Sequence, residues 1–84
     1  MELKELRNEI DIIDEQLIRL FQERMDISKE VAKYKKQHNL PIYDPVREQE
    51  ILERLSAKAE QYHEPAIKAL YTLIFELSRA EQEK

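Results

Sequence analysis

From Leu3 to His38 the chain runs for roughly 36 residues without a proline or a glycine, and this stretch limits the fold more than any other feature. Apolar residues recur along it at spacings of three and four: Leu3, Leu6, Ile10, Ile13, Leu17 and Leu20, then Ile27, Val31 and Tyr34. That is the rhythm of a helix burying one face, and the positions between are Glu, Lys, Gln and Asp. A helix of about 36 residues is about 54 Å long. A compact chain of 84 residues has a radius of gyration of only about 12 Å and a diameter near ~30 Å. The first helix is therefore expected to project beyond its own domain with its apolar seam uncovered. A second copy packing along the same seam covers it most simply, which predicts a two-fold homodimer. The alternative, a helix that breaks midway and folds back, needs a breaker residue that this stretch lacks.

Two joints divide the remainder. In HNLPIYDP, Asn39 can end a helix in the left-handed conformation and Pro41 blocks continuation. Asp44-Pro45 then reads as an N-cap followed by proline at the first helical position. A second helix is predicted from Pro45 to about Gln61, with Ile51, Leu52, Leu55 and Ala59 facing inward. The joint QYHEP leads to Pro65, the expected start of a third helix with Ile67, Leu70, Ile74 and Leu77 on its inner side. The expected fold is all-α, with three helices in one domain spanning residues 1–84.

Composition narrows the function classes. A net charge of −4 disfavours a general nucleic-acid surface, which needs excess Lys and Arg. The absence of cysteine excludes disulfides, thiolate metal sites and cysteine nucleophiles. No apolar run approaches membrane-spanning length and MELKELRNEI is unlike a signal peptide, so a cytoplasmic protein is expected. Glycine is absent, against a usual share of about 7%. That suits helices with few tight turns and removes phosphate-cradling loops; a designed sequence would also show it. His38 and His63 are isolated and lack metal-ligand spacing.

The informative residues are polar ones on inward faces. The beat at position 24 should be apolar, and the chain supplies Arg24. Arg24, Ser28, Val31 and Lys35 form one helical stripe. Its two cations lie about 16 Å apart along the axis, close enough for long side chains to converge on one small molecule. The plainer alternative is a pair of cations snorkelling at the core rim or meeting buried carboxylates. Asp44 is an N-cap whatever else it does, and Arg47 with Glu48 would otherwise be a solvated surface pair. Ser78 and Gln82 continue the row begun by Ile74, or mark a helix end emerging into water. Arg7 lies about 25 Å from Arg24 along the helix, so the two cannot hold one small ligand within a single chain.

Taken in order, LRNEIDIIDEQLIRLFQER, VAKYK, PIYDPVREQEIL and LIFELSRAEQ resemble the all-helical class of chorismate mutase over essentially the whole chain. The D-P-x-R-E motif, about ten residues after Lys35, is fairly specific; its combination with Arg7, Glu23-Arg24, Ser78 and Gln82 is more so. The resemblance implies an intertwined homodimer with two sites, each built from both protomers. It also implies conversion of chorismate to prephenate without a cofactor, on the route to phenylalanine and tyrosine. By position, Arg24 and a partner-chain Arg7 would grip the two substrate carboxylates, with Ser78 helping. Lys35 and Gln82 would donate to the ether oxygen of the breaking bond. Glu48 would accept from the ring hydroxyl, with Asp44 and Arg47 shaping that end. Some relatives carry Glu where this chain has Gln82.

A unimolecular pericyclic shift needs no nucleophile and no proton acceptor. It needs a flexible dianion held compactly and donors aimed where charge grows, which cations and amides supply. Two other readings stay open at this level. One is a non-catalytic helical dimerisation module; the other is isochorismate-pyruvate lyase activity on the same fold.

Overall fold

The computed structural model describes residues 1–84. Helix α1 spans Leu3–Gln37, α2 spans Pro45–Lys58 and α3 spans Glu64–Gln82, with one 3₁₀ turn at Gln61–His63 before α3. There is no strand, as the all-α reading expects.

The joint after α1 is closed by local chemistry. Asn39 takes φ 55°, the left-handed position usually given to glycine, which this chain lacks. Leu40 N–H donates to the Lys35 carbonyl at 2.8 Å and Asn39 N–H to the Lys36 carbonyl at 3.4 Å. These bonds satisfy carbonyls that the end of α1 leaves unpaired. The chain then turns back toward α1, and Asp44 caps α2 by accepting from the Arg47 N–H at 3.0 Å, with Pro45 at the first helical position.

Helix α2 ends at Lys58, earlier than the predicted Gln61. Past Leu55 the segment SAKAEQ offers only small or polar side chains, so burial against α3 no longer rewards helix formation. Ala59 and Glu60 are extended and feed the 3₁₀ turn.

Helix α3 packs against both α1 and α2. Its buried positions are Phe75 and Ser78, where the sequence had favoured Leu70 and Leu77; both leucines are exposed. The reason is that α3 is apolar around much of its girth. Tyr71, Ile74 and Phe75 face its own neighbours, while Leu70, Leu73 and Leu77 are left outward. On α1 the face toward α3 is likewise Phe21, Arg24, Met25, Ser28 and Ala32, not the leucine seam.

The core within one chain is very small. Ile51 and Phe75 are its only buried apolar residues, joined by Ser28 and Ser78. Every residue from 1 to 20 is exposed, including Leu6, Ile10, Ile13, Leu17 and Leu20. The molecule measures 55 × 25 × 15 Å with a radius of gyration of 15.9 Å, well above the ~12 Å of a compact chain of this length. It exposes 7078 Å², about 1,800 Å² more than a compact monomer of its mass. No helix is long and apolar enough to cross a membrane.

Candidate active site

A cleft of about 280 Å³ opens where the last third of α1, the α1–α2 joint, the start of α2 and the end of α3 converge. Arg24, Lys35, Asp44, Arg47, Glu48, Ser78 and Gln82 all line it. Seven of the eight residues singled out in the sequence are thus brought together. Its walls include Ile27, Val31, Ile42, Ile51 and Phe75, so the polar groups project into a partly apolar space. Arg7 is the exception, exposed on the projecting half of α1 and outside the cleft.

Arg24 comes from the face of α1 turned toward α3. Its guanidinium donates to Ser78 Oγ at 2.8 Å and lies 5.9 Å from the Phe75 ring centre and 6.0 Å from that of Tyr71. The rings favour a cation without neutralising it. Ser78 Oγ in turn donates to Met25 Sδ at 3.8 Å, which fixes the hydroxyl between two side chains of α1. Lys35 donates to the Ile42 carbonyl at 2.8 Å. That acceptor is in place because the Asn39 turn brings the joint back across the end of α1. One bond leaves two of the ammonium's three protons free.

Neither Arg24 nor Lys35 takes part in an ion pair; the pairs are all formed by other cations. Two half-buried cations therefore share one cleft with no carboxylate paired to either, since Glu48 is taken by Arg79 and Asp44 caps α2. That arrangement is costly unless an anion arrives. The reading of these residues as partners for buried carboxylates does not hold.

Glu48 is held differently from expectation. It pairs with Arg79 of α3 rather than lying in a surface pair with Arg47, which pairs instead with Glu50 at 3.7 Å. The Arg79 guanidinium also lies 4.9 Å from the Tyr43 ring centre. Its bond to Glu48 outweighs partial burial and keeps the guanidinium above its already high range. Arg79 and the Ile42 carbonyl were not among the residues read from sequence. Adjacency to Ser78 was the only hint for Arg79, and a backbone acceptor leaves no mark on residue type.

Gln82 lies in the last turn of α3 with its amide oxygen buried and without a protein partner. Beside the cleft is a wider, open hollow of about 750 Å³ that shares Lys35, Ile42 and Gln82. It is rimmed by Lys29, Lys33, Lys36 and Lys84 and has few apolar walls. The unpaired cations, the hydroxyl and the amide converge in the smaller space.

The family described as chorismate mutase type II matches residues 6–83. The bifunctional chorismate mutase/prephenate dehydratase of Aquifex aeolicus is 52% identical over 54 residues, covering 64% of this chain and 15% of that protein. The T-protein of Haemophilus influenzae is 48% identical over 59 residues, covering 70% of this chain and 16% of that protein. The chain thus spans about a sixth of the length of these two relatives. A solved structure, chorismate mutase form II from Thermus thermophilus, superposes with a TM-score of 0.93 at 31% identity, covering 98% of this chain and 94% of that one. With the family matched over nearly its whole length and the same fold in a solved relative, the chain belongs to the chorismate mutase type II family.

Proposed function

We propose that the chain catalyses the rearrangement of chorismate to prephenate as a homodimer, each cleft completed by Arg7 of the other copy. The observation that carries this reading is that Arg24 and Lys35, neither in an ion pair, share one cleft with Ser78 and Gln82. Such a cleft suits a small dianion carrying an ether oxygen.

In the reaction one C–O bond breaks as one C–C bond forms, and no proton is gained or lost. Arg24 binds one carboxylate through its fork, with Ser78 beside it. Arg7 of the second copy binds the other. Lys35 and Gln82 donate to the ether oxygen as its negative charge grows, which favours the transition state over the substrate. Glu48, steadied by Arg79, accepts from the ring hydroxyl. Asp44 and Arg47 shape that end of the cleft.

The dimer is supported by the uncovered surface. An excess of about 1,800 Å² per chain exceeds the ~800 Å² per partner of a standard interface and fits an obligate one. The exposed apolar row of α1, Leu6, Ile10, Ile13, Leu17 and Leu20, is the surface that a second copy covers in this reading.

The test is the loss of chorismate absorbance with purified protein, beside a mass measurement in solution. Turnover by a dimer is expected. A folded dimer with no turnover would favour a pairing module.

Gln82 adds a pH expectation. An amide donates its N–H at any pH, whereas a glutamate must be protonated to do so. The kcat should stay nearly flat from about pH 6 to about pH 8. Gln82→Glu should instead be nearly inactive across that window and regain activity only as pH falls toward about 4, where an ordinary glutamate takes up the donor proton. A steep fall in the unaltered protein would count against Gln82 as the donor.

A further inference from the structure

The geometry points to Glu81, clamped to α1 by Lys29, as the positioning residue that holds Gln82 in the cleft. This rests on the reading of Gln82 as a donor to the substrate.

Gln82 is the last residue of α3, where a helix ordinarily frays. Its own side chain has no protein hydrogen bond at the buried oxygen, so something else must keep the turn docked. Glu81 can do so through Lys29 of α1, while its second oxygen meets Lys84 of its own tail. Oε1 pairs with Lys29 at 3.3 Å and Oε2 with Lys84 at 3.1 Å. The Glu81 side chain is only 16% exposed, against 54% for Lys29. It is therefore packed down against α1 rather than waving in solvent.

The placement runs against local preference, which is informative. A carboxylate in the last turn of a helix opposes the negative end of the macrodipole. Nothing within α3 favours Glu81 there; the lysines do, and their hydrogen bonds hold its carboxyl below the usual range. Lys29 follows Ser28, the buried residue of α1, so the anchor stands where that helix packs against α3. Arg79 ties the same turn to α2 through Glu48. In the run Ser78-Arg79-Ala80-Glu81-Gln82 the two residues assigned to substrate, Ser78 and Gln82, thus flank Arg79 and Glu81, which are tied to the two neighbouring helices. An exposed ion pair adds little to global stability. Little is needed, however, to choose between a docked and a frayed final turn.

The test uses the whole chain and two independent readouts. Glu81→Gln keeps the shape and removes the charge; kcat at saturating substrate should fall about three- to fivefold, with KM within about twofold. Glu81→Lys should fall further, about tenfold, and the swap Lys29→Glu with Glu81→Lys should recover most of the loss. High salt should lower kcat of the unaltered protein toward that of Glu81→Gln and leave the variant unmoved. The control Lys33→Gln, on the same rim but paired with Glu30, should change nothing. Backbone ¹⁵N relaxation at Gln82 supplies the second readout. Order there should drop in Glu81→Gln and return in the swap, whether or not the protein turns over chorismate. Unchanged order and unchanged kcat in Glu81→Gln would overturn the clamp. Lost order with unchanged kcat would overturn its role in positioning the donor. Absent turnover in the unaltered protein would instead overturn the function, leaving the relaxation result to judge the clamp alone.

Discussion

Arg24→Leu lowers kcat/KM for chorismate by about 10³-fold or more and leaves a dimer at least as stable as the original. The rate loss follows from removing a preorganised charged donor in a partly apolar cleft, a change that commonly costs about 10² to 10³ in rate. In the proposed site Arg24 is the carboxylate fork, so its loss both weakens binding and misaligns the bound dianion, and both lower kcat/KM. The stability side is equally specific. Arg24 is half-buried, gives one hydrogen bond to Ser78 and has no carboxylate partner. Leucine fills the space beside Phe75 and Met25 and removes a charge whose desolvation is offset only by one neutral hydrogen bond and two ring faces. Thermal melting and steady-state kinetics on one preparation check both halves. A strongly destabilised variant would make Arg24 a structural residue, and a fully active one would remove it from the site.

Leu17→Asp should abolish the dimer and most of the fold with it. Leu17 is 57% exposed in the single chain, in line with Ile10, Ile13 and Leu20. It is expected to lie at the centre of the α1 seam in the dimer. Burying an unpaired carboxylate there costs several kcal/mol, on the order of ~3–5 for each copy. Both copies carry the change, so the cost is paid twice. The single chain cannot absorb it, because its own core reduces to Ile51 and Phe75 with two serines. Sedimentation equilibrium and circular dichroism should show a largely unfolded monomer at micromolar concentration. An unchanged mass and melting temperature would show that the seam is not the interface.

What the sequence disclosed followed from local chemistry. Asn39 and the Asp44-Pro45 pair marked the joint because left-handed backbone and helix capping depend on one or two residues. Arg24 and Lys35 stood out because charge on an apolar rhythm is conspicuous. Their convergence on one cleft could be argued from helical spacing alone. The inner face of α3 is legible only in part: Ile67 and Ile74 are half-buried as expected, while Leu70 and Leu77 are exposed, since a helix apolar on several sides carries no single direction for the period to reveal. Phe75 is buried and Leu77 exposed because α1 and α2 lie where they do. The partner of Glu48 was hidden for the same reason: Arg79 is 31 residues away, and only the packing of α3 on α2 brings them together. The end of α2 was overestimated because helical propensity continues past the point where packing stops supporting it.

The site proposed here belongs to two chains, and subunit mixing tests that directly. Arg7→Ala and Arg24→Leu should each be nearly inactive alone. After joint unfolding and refolding, about half the dimers are mixed, and each mixed dimer holds one site with both substitutions and one with neither. Activity should return to about a quarter of that of the refolded original, a consequence of two-fold symmetry. A mixture no more active than its components would contradict a site shared between copies.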